Sequence, residues 1–342
     1  MKIKENVSFR DYTTIKLGGN IKFLGFIETE NDIIEADYFR LSNNIPVLPL
    51  GAGSNLLVSD KLKDLLVLKM ENKNLQILSE DSKSVLVKAS AGFMLDDFVE
   101  WSVSKNFSGI ESLSSIPGTV GATPIQNVGA YGCEVSSVIK NIRFYSLEMG
   151  KFLEISARNC LFGYRDSIFK NKLKNNSIIE SVVFELKKVD PEVPKYPKVL
   201  DVFEEIKKSN SYNSKTELIR MAIKRIRSEK LPDPIKVPNV GSFFKNVFIE
   251  KGQLEKILKI YPDMPNFLTE NCFKIPSGWL IEQAGFKGLK VGGVEVYNKN
   301  ALVLINNSAK SADELLDFAS TIQKSVFDKF GLFLEIEPEI IL

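Results

Sequence analysis

The pattern of apolar and polar positions predicts that strands and helices alternate in the first part of the chain. Short apolar runs typical of buried strands lie at 21–27, 45–50, 65–70, 85–89, 141–146, 151–156 and 177–187. Thr29 precedes a periodic segment that predicts a capped helix to about residue 41. Phe98, Trp101 and Val103 predict a second helix at about 94–105. The glycine-rich stretch 109–135 predicts one long ordered loop, and loops of this length inside a domain are usually functional or disordered.

The second part of the chain begins with a proline-rich segment at 190–197. Its three prolines interrupt both helices and strand ladders, so we expect a loop and a domain boundary here. Beyond it, apolar residues at helical spacing predict a helix around 219–226. The sequence Ser311–Glu314 is a capping box that opens a helix ending near residue 330, and the alternation at 333–337 predicts a half-buried last strand.

Composition narrows the class of protein. The chain has 342 residues, of which 44% are hydrophobic and 26% charged, as is typical of a globular protein. A net charge of +2 gives no reason to expect nucleic acid or membranes as partners, so we expect small molecules. The polar N-terminus has no apolar targeting segment, and no apolar run approaches the ~18 residues that span a bilayer. We therefore expect a cytoplasmic protein, and a monomer.

The residues available for chemistry are unusual, because the chain has no histidine. This absence removes the commonest general base and the usual metal ligand. Cys133, Cys160 and Cys272 form no closely spaced pair, so we expect reduced thiols and no metal site. Chemistry carried by an organic cofactor suits such a chain, because the protein then supplies binding, orientation and electrostatics.

Two glycine-containing loops offer backbone N–H groups to a phosphate. The segment 50–55 follows an apolar strand, but it does not match the dinucleotide-binding fingerprint because Leu56 stands where the third glycine belongs. Taken by itself, this motif predicts an ordinary tight turn. The loop 116–132 adds four more glycines with hydroxyls and an amide, so two separated cradles together suit a diphosphate. The alternative is an elaborate surface loop.

The segment Phe162–Lys170 is more polar and more charged than the sequence around it. Arg165 has Tyr164 on one side and Asp166 on the other, so its guanidinium has neighbours that favour one orientation. A guanidinium held in one orientation is suited to binding an anionic group of a substrate. A structural ion pair with Asp166 is the alternative interpretation.

Five segments along the chain match one enzyme family in the same order. They are Gly51–Asn55, Ile116–Gly132, Phe162–Lys170, Gly241–Asn246 and Glu337–Glu339, with Lys230–Pro234 ahead of the fourth. With these segments the chain closely resembles the UDP-N-acetylenolpyruvoylglucosamine reductase family of bacterial cell-wall synthesis. The region around Tyr196 looks like the family's longer variant, which carries a tyrosine-bearing loop over the substrate.

The resemblance implies an α+β fold with a two-subdomain FAD-binding region of the vanillyl-alcohol-oxidase (PCMH) type and a C-terminal α+β substrate domain. Residues 1–70, joined by a C-terminal strand at 331–342, would form the first FAD-binding subdomain, and 71–190 the second. Residues 191–210 would form a linker or loop bearing Tyr196, and 211–330 the substrate-binding domain.

The resemblance also implies a reaction. Hydride passes from NADPH through FAD to C3 of the enolpyruvyl group of UDP-N-acetyl-3-O-(1-carboxyvinyl)-glucosamine, giving UDP-N-acetylmuramate. By their matching positions, Arg165 and Glu339 stabilise the enolate that forms, and Ser242 donates a proton to C2.

Further site residues are implied at matching positions. The implied FAD-binding residues are Leu50, Gly51, Ala52, Gly53, Ser54, Asn55, Pro117, Gly118, Gly121, Ala122, Thr123, Ile125, Gln126, Asn127, Gly129 and Tyr131. The implied substrate-binding residues are Tyr164, Tyr196, Arg227, Lys230, Lys245, Asn246 and Gln283.

Two other functions remain open on the sequence. One is another FAD-dependent oxidase or dehydrogenase of the same fold acting on a hydroxy acid or alcohol, which would need a general base other than histidine. The other is a catalytically silent nucleotide-binding module. The joint presence of Arg165, Ser242 and Glu339 favours the reductase.

Overall fold

The computed structural model describes residues 1–62, 64–209 and 213–341, which form seven α-helices and twenty short strands. The helices are α1 (Glu30–Asn43), α2 (Leu95–Ser104), α3 (Pro197–Ser209), α4 (Lys215–Lys230), α5 (Lys251–Leu258), α6 (Ser277–Gln283) and α7 (Ala312–Phe330). The first twelve strands are β1 (Lys2–Ser8), β2 (Asn20–Ile27), β3 (Val47–Leu50), β4 (Leu56–Val58), β5 (Leu66–Met70), β6 (Leu75–Glu80), β7 (Ser84–Ser90), β8 (Gly129–Ala130), β9 (Cys133–Glu134), β10 (Ile139–Ser146), β11 (Lys151–Ser156) and β12 (Ser177–Lys187). The others are β13 (Asn239–Ser242), β14 (Val247–Ile249), β15 (Phe267–Leu268), β16 (Phe273–Ile275), β17 (Lys290–Val291), β18 (Val294–Val296), β19 (Val303–Asn306) and β20 (Glu339–Ile341). The predicted boundary at 210/211 and the chain end at Leu342 lie outside the described residues.

The chain divides into two compact units. The first comprises Met1–Val7, Ile21–Ala52 and the described residues of Lys63–Ser228, and the second comprises Ser8–Asn20, Gly53–Leu62 and the described residues of Glu229–Leu342. The predicted range 1–70 is therefore shared by both units, and α4 lies in the first unit except for its last two residues. The assignment of functional domains stays a prediction. None of the described helices is long and apolar enough to cross a membrane.

Two larger sheets build most of the first unit, which also contains the two-stranded sheet β8-β9. The strands β2, β5 and β3 pair in parallel in a four-stranded sheet of order β1-β2-β5-β3, and α1 connects β2 to β3. Thr29 caps α1 as predicted, accepting a hydrogen bond from the Asp32 N–H. The second sheet is antiparallel with order β11-β10-β12-β7-β6, and Phe184 of β12 packs 4.8 Å, between ring centroids, from Phe98 of α2.

Helices α3 and α4 form a separate apolar cluster in the first unit. Its fully or nearly buried residues are Val199, Val202, Phe203, Ile206, Leu218, Ile219, Ala222, Ile223 and Ile226. The prediction of a loop to residue 210 is wrong beyond Tyr196, because α3 begins at Pro197. Proline is tolerated in the first helical turn, where its missing N–H would have no partner within the helix.

A second core lies in the other unit, where α7 and the sheet β13-β19-β18-β17 belong to one apolar cluster. Ser311 caps α7 as predicted, and Gly331 ends it at a φ of +66°. The predicted strand at 333–337 is wrong, because this segment makes only an isolated bridge between Phe244 and Ile336. The last strand is β20, which pairs in parallel with β4. The alternation at 333–337 reflects the burial of Leu334, not membership of a ladder.

A buried polar contact ties α1 to β10, and we expect it to contribute to stability. The Tyr145 hydroxyl donates to Asp37 Oδ2 at 2.8 Å, and Arg40 Nε donates to Asp37 Oδ1 at 2.6 Å. Tyr145→Phe leaves a buried carboxylate with one donor fewer, so we expect the free energy of unfolding to fall by about 1–3 kcal/mol in urea denaturation. The matched control is Tyr38→Phe, because Tyr38 is 68% exposed on the same helix. An equal loss in both variants would contradict this account.

Candidate active site

The first predicted cradle begins where β3 ends. Leu50 is buried, and its register partner on β5 is Lys69, whose ammonium donates to the carbonyl of Gly51. Burial lowers the pKa of this lysine. Sequence reasoning missed Lys69, although a lone charge within the apolar run Leu66–Met70 was a signal for a functional or structural polar partner.

The second glycine loop lies directly against the first. A Cβ on Gly51 would come within 2.3 Å of Thr119 Oγ1, so only glycine allows this approach. Gly118 has a φ of +138°, and its carbonyl accepts a hydrogen bond from the N–H of Leu95 at 3.0 Å. The structure therefore brings Gly51 and the second loop together within the first unit, as a two-cradle diphosphate site requires.

Other residues of the second loop are buried and stabilise its conformation. Thr123 and Asn127 are buried, and the Asn127 amide donates to Glu134 Oε2 at 2.8 Å and to the Gly163 carbonyl at 3.1 Å. Gly121 is also buried, with its Cβ position 2.5 Å from the Cβ of Ala91. The more accessible members of the predicted set in this loop are Pro117, Ala122, Ile125, Gln126, Gly129 and Tyr131.

The remainder of the first cradle, Gly53–Asn55, belongs to the second unit. Gly53 has a φ of +64°, and a Cβ there would lie 2.1 Å from the Tyr12 carbonyl oxygen. The N–H of Thr14 donates to the Gly53 carbonyl at 3.1 Å, while the Thr14 hydroxyl donates to the Asn239 carbonyl at 2.6 Å. Thr14, which the sequence analysis did not single out, thus connects the cradle to β13.

Arg165 sits in a tight turn in the first unit. Gly163 and Asp166 exchange backbone hydrogen bonds of 3.1 and 3.3 Å, and Arg165 between them has a φ of +54°. Its Nη2 donates to the carbonyl of Gly129 at 3.0 Å, and its guanidinium carbon lies 5.2 Å from the Tyr164 ring centroid. These contacts orient the guanidinium and connect it to the second glycine loop.

The segments that carry Ser242 and Glu339 pair with each other in the second unit. The N–H of Glu337 donates to the carbonyl of Phe243 at 3.0 Å, and the N–H of Lys245 donates to that of Glu335 at 2.9 Å. Phe244 and Ile336 form the antiparallel bridge between these bonds.

This pairing brings two predicted catalytic residues onto neighbouring segments. Ser242 is the residue just before the paired stretch, and Glu339 follows it by two residues. The N–H of Glu339 donates to the Asn55 carbonyl at 3.0 Å, so the first cradle joins the same group. Ser242 and Glu339 are both half-buried. Arg165 belongs to the other unit, and its convergence with them stays a prediction.

Two predicted substrate residues of the first unit, Tyr196 and Arg227, meet around Tyr131, a predicted FAD-binding residue. The rings of Tyr131 and Tyr196 meet edge to face with centroids 5.9 Å apart. Arg227 interacts with the Tyr131 hydroxyl and donates from Nε to the Ser115 carbonyl at 3.3 Å. Burial lowers the pKa of Arg227, while it raises that of Tyr131.

The predicted substrate residues of the second unit differ in their surroundings. The Lys245 ammonium pairs with Glu335, and Asn246 Oδ1 accepts a hydrogen bond from the Ser277 N–H at 3.2 Å. Lys230, at the end of α4, and Gln283, at the end of α6, are exposed.

The residues of the two loops that lie in the first unit fit the diphosphate of a dinucleotide cofactor. Gly51 lies so close to Thr119 that a Cβ has no room, Gly118 has a positive φ, and the Lys69 ammonium donates to the Gly51 carbonyl. Backbone N–H groups, hydroxyls and a nearby cation are the groups that bind phosphate in proteins. Across the part of the chain that the structure describes, no group of three or more Cys, Asp and Glu residues is arranged to hold a metal ion.

Family comparisons agree with this geometry. Residues 22–156 match the FAD binding domain, and residues 233–341 match the UDP-N-acetylenolpyruvoylglucosamine reductase C-terminal domain. The UDP-N-acetylenolpyruvoylglucosamine reductase of Flavobacterium johnsoniae is 36% identical over 342 residues, covering 100% of both chains. The chain belongs to the UDP-N-acetylenolpyruvoylglucosamine reductase family.

Other relatives of this reductase family extend the comparison. The enzyme of that name from Neisseria gonorrhoeae is 40% identical over 293 residues, covering 85% of this chain and 84% of its own. The crystal structure of the reductase from Thermus caldophilus covers 100% of both chains with a TM-score of 0.68 at 23% identity, which shows a shared fold. The predicted fold class, the oxidoreductase activity and the FAD cofactor are thereby confirmed.

The close packing of Gly53 predicts that this position tolerates no side chain. Gly53→Ala forces a φ of +64° on a residue with a Cβ and drives that atom against the Tyr12 carbonyl. We expect the dissociation constant for FAD to rise by about tenfold or more, measured by ultrafiltration of the diluted holoenzyme. The control is Gly252→Ala in α5, where a Cβ meets nothing within 4 Å. FAD retention equal to wild type in Gly53→Ala would refute the argument.

Proposed function

We propose that this chain reduces UDP-N-acetyl-3-O-(1-carboxyvinyl)-glucosamine to UDP-N-acetylmuramate with NADPH, in the synthesis of peptidoglycan precursors. The observation that carries the proposal is the backbone pairing that brings the segments of Ser242 and Glu339 together beside Asn55 of the FAD cradle. A proton donor and an acidic side chain beside a flavin cradle are what reduction of an enolpyruvyl ether requires. The family membership and the oriented Arg165 support the same reaction.

The reaction places two demands on the protein. Bound FAD supplies the hydride chemistry, with NADPH as the reductant and C3 of the enolpyruvyl group as the acceptor. The electron pair left at C2 delocalises into the adjacent carboxylate as an enolate. The protein must stabilise this charge and deliver a proton to C2.

Ser242 is the proposed proton donor. Its Oγ–H bond breaks as a C2–H bond forms, and the serine oxygen regains a proton from solvent. A hydroxyl is a weak acid, so this role needs a strongly basic carbon and a fixed position. The position is supported from both sides, because β13 pairs with β19 at Ser242 and Val303 and the next residues pair with 335–337.

Arg165 and Glu339 are the proposed enolate-stabilising residues. The guanidinium of Arg165 is oriented before substrate arrives, since the Gly129 carbonyl and the Tyr164 ring hold it. A donor that is oriented in advance loses little free energy to reorganisation during the reaction. Glu339 is fixed at its backbone by Asn55 and by pairing with β4.

The proposed substrate-binding groups are suited to a nucleotide diphosphate with a sugar. They are cationic, amide and aromatic side chains: Tyr164, Tyr196, Arg227, Lys230, Lys245, Asn246 and Gln283. The Tyr131–Tyr196 contact gives the tyrosine-bearing segment a fixed point in the first unit.

The proposed function predicts a substrate-dependent change in the flavin spectrum. Under anaerobic conditions, NADPH should bleach the yellow holoenzyme, and the enolpyruvyl UDP-sugar should restore the oxidised spectrum. As the control, a hydroxy acid or alcohol is added to the oxidised holoenzyme and should leave the yellow flavin spectrum unchanged. Failure of the UDP-sugar to restore the oxidised spectrum, or bleaching of the oxidised flavin by an alcohol or hydroxy acid, would exclude the proposal.

The role of Ser242 predicts that the two halves of the reaction respond differently to its removal. In stopped-flow experiments, Ser242→Ala should keep the wild-type rate of flavin reduction by NADPH. It should slow reoxidation by the UDP-sugar by about 10²–10⁴-fold, because the proton donor to C2 is lost. Ser320→Ala is a matched control, since Ser320 lies on the exposed side of α7 and donates only to Leu316 within the helix. Unchanged reoxidation in Ser242→Ala would remove the assignment.

A further inference from the structure

Asp96, in the first turn of α2, binds two distant partners. Its Oδ1 accepts a hydrogen bond from the N–H of Ser115 at 2.6 Å. The same carboxylate forms a two-pronged ion pair with Arg220 of α4, at 2.5 Å to Nη1 and 3.2 Å to Nη2. Arg220 is only 6% exposed, whereas the Asp96 side chain is 33% exposed, so only the arginine side of this pair is shielded from water.

Ser115 has a backbone conformation that is unfavourable for its residue type. Its φ is +59°, in the left-handed region that residues with a Cβ rarely adopt. It directly precedes the Ile116–Gly118 stretch of the second glycine loop. Such a conformation persists only where its surroundings hold it. Asp96 binds the Ser115 N–H, and Arg227 donates to the Ser115 carbonyl, so both sides of this residue are held.

The same contacts reach the proposed substrate residues. Arg220 and Arg227 are seven residues apart on α4 and therefore lie on one face, two turns apart. Arg227 contacts Ser115 and the Tyr131 hydroxyl, and Tyr131 packs against Tyr196. Asp96 is thus linked to the glycine loop through Ser115 and to α4 through Arg220.

We propose that Asp96 is a positioning residue that sets the second FAD loop through Ser115 and, through Arg220, aligns α4 so that Arg227 meets the UDP-sugar. The second half of this inference rests on the proposed function, whereas the first half concerns FAD alone. A simple structural ion pair between α2 and α4 is the competing explanation. It predicts that loss of either partner has the same consequences.

The test separates the two contacts of the carboxylate. Asp96→Ala removes both contacts, and we expect the dissociation constant of FAD from the holoenzyme to rise by about tenfold or more, as loss of a charge-assisted hydrogen bond predicts. Arg220→Met removes the links of α4 to Asp96 and Glu100 but keeps the bond from the Ser115 N–H to Asp96, so FAD affinity should fall much less than in Asp96→Ala. In that variant the KM for the UDP-sugar should rise by about fivefold or more while kcat is unchanged.

Two further variants keep the test decisive. Asp97→Ala is the matched control, because Asp97 is an exposed aspartate of the same helical turn, and both constants should remain unchanged. Asp96→Asn keeps an oxygen acceptor for the Ser115 N–H, so this variant should bind FAD better than Asp96→Ala. It also provides the measurement if the alanine variant does not fold. Wild-type FAD affinity in Asp96→Ala, or an equal loss of FAD affinity in Arg220→Met, would overturn the inference. If the wild-type protein does not turn over the UDP-sugar, the proposed function fails, and the FAD measurements still decide the role of Asp96 at Ser115.

Discussion

The antiparallel hydrogen bonds between residues 243–245 and 335–337 are the constraint on which the second compact unit depends. They join segments about ninety residues apart in sequence. Because they are made by backbone groups, a change of side chain barely alters their geometry. Phe243 and Phe244 are fully buried beside this pairing, so the apolar core and the hydrogen bonds stabilise the same contact. Ser242 and Glu339 flank the paired stretch, so the pairing restrains the backbone next to both residues.

In the first unit, the long second glycine loop is ordered mainly by specific contacts, and its named strand, β8, pairs over only two residues with β9. Its polar groups find partners inside the unit: Asn127 with Glu134, Ser115 with Asp96, and Gly129 with Arg165. A loop this long would be costly to order if its buried backbone groups had no partners. Close approach to Gly51 then requires that this position carry no side chain. The same contacts that order the loop also orient Arg165.

The absence of histidine agrees with the kind of chemistry that the family carries out. FAD supplies hydride chemistry, so the protein needs oriented donors and charges more than a titrating base near neutral pH. In the proposed mechanism, Ser242, Arg165 and Glu339 meet this need, and they can do so only when their positions are fixed. The left-handed turn at Arg165 and the paired segments beside Ser242 and Glu339 are the structural means of fixing them.

Local sequence signals were sufficient for elements whose cause is local. The caps at Thr29 and Ser311 and the strand 177–187 stand as the sequence predicted, because side-chain spacing and short-range hydrogen bonds determine them. The second half of the predicted capping box at Ser311 is not formed, because Glu314 accepts from the N–H groups of Gly293 and Lys310. The motif order was also sufficient to identify the family and its cofactor. The strand predicted at 333–337 and the loop predicted to residue 210 were wrong, since burial alternation does not specify a ladder and a proline can begin a helix. Only the tertiary structure decided that Lys69 supports Gly51, that Thr14 connects Gly53 to β13 and that Asp96 holds Ser115. Each of these contacts joins residues far apart in sequence, and no local pattern specifies which distant backbone group a polar side chain will meet.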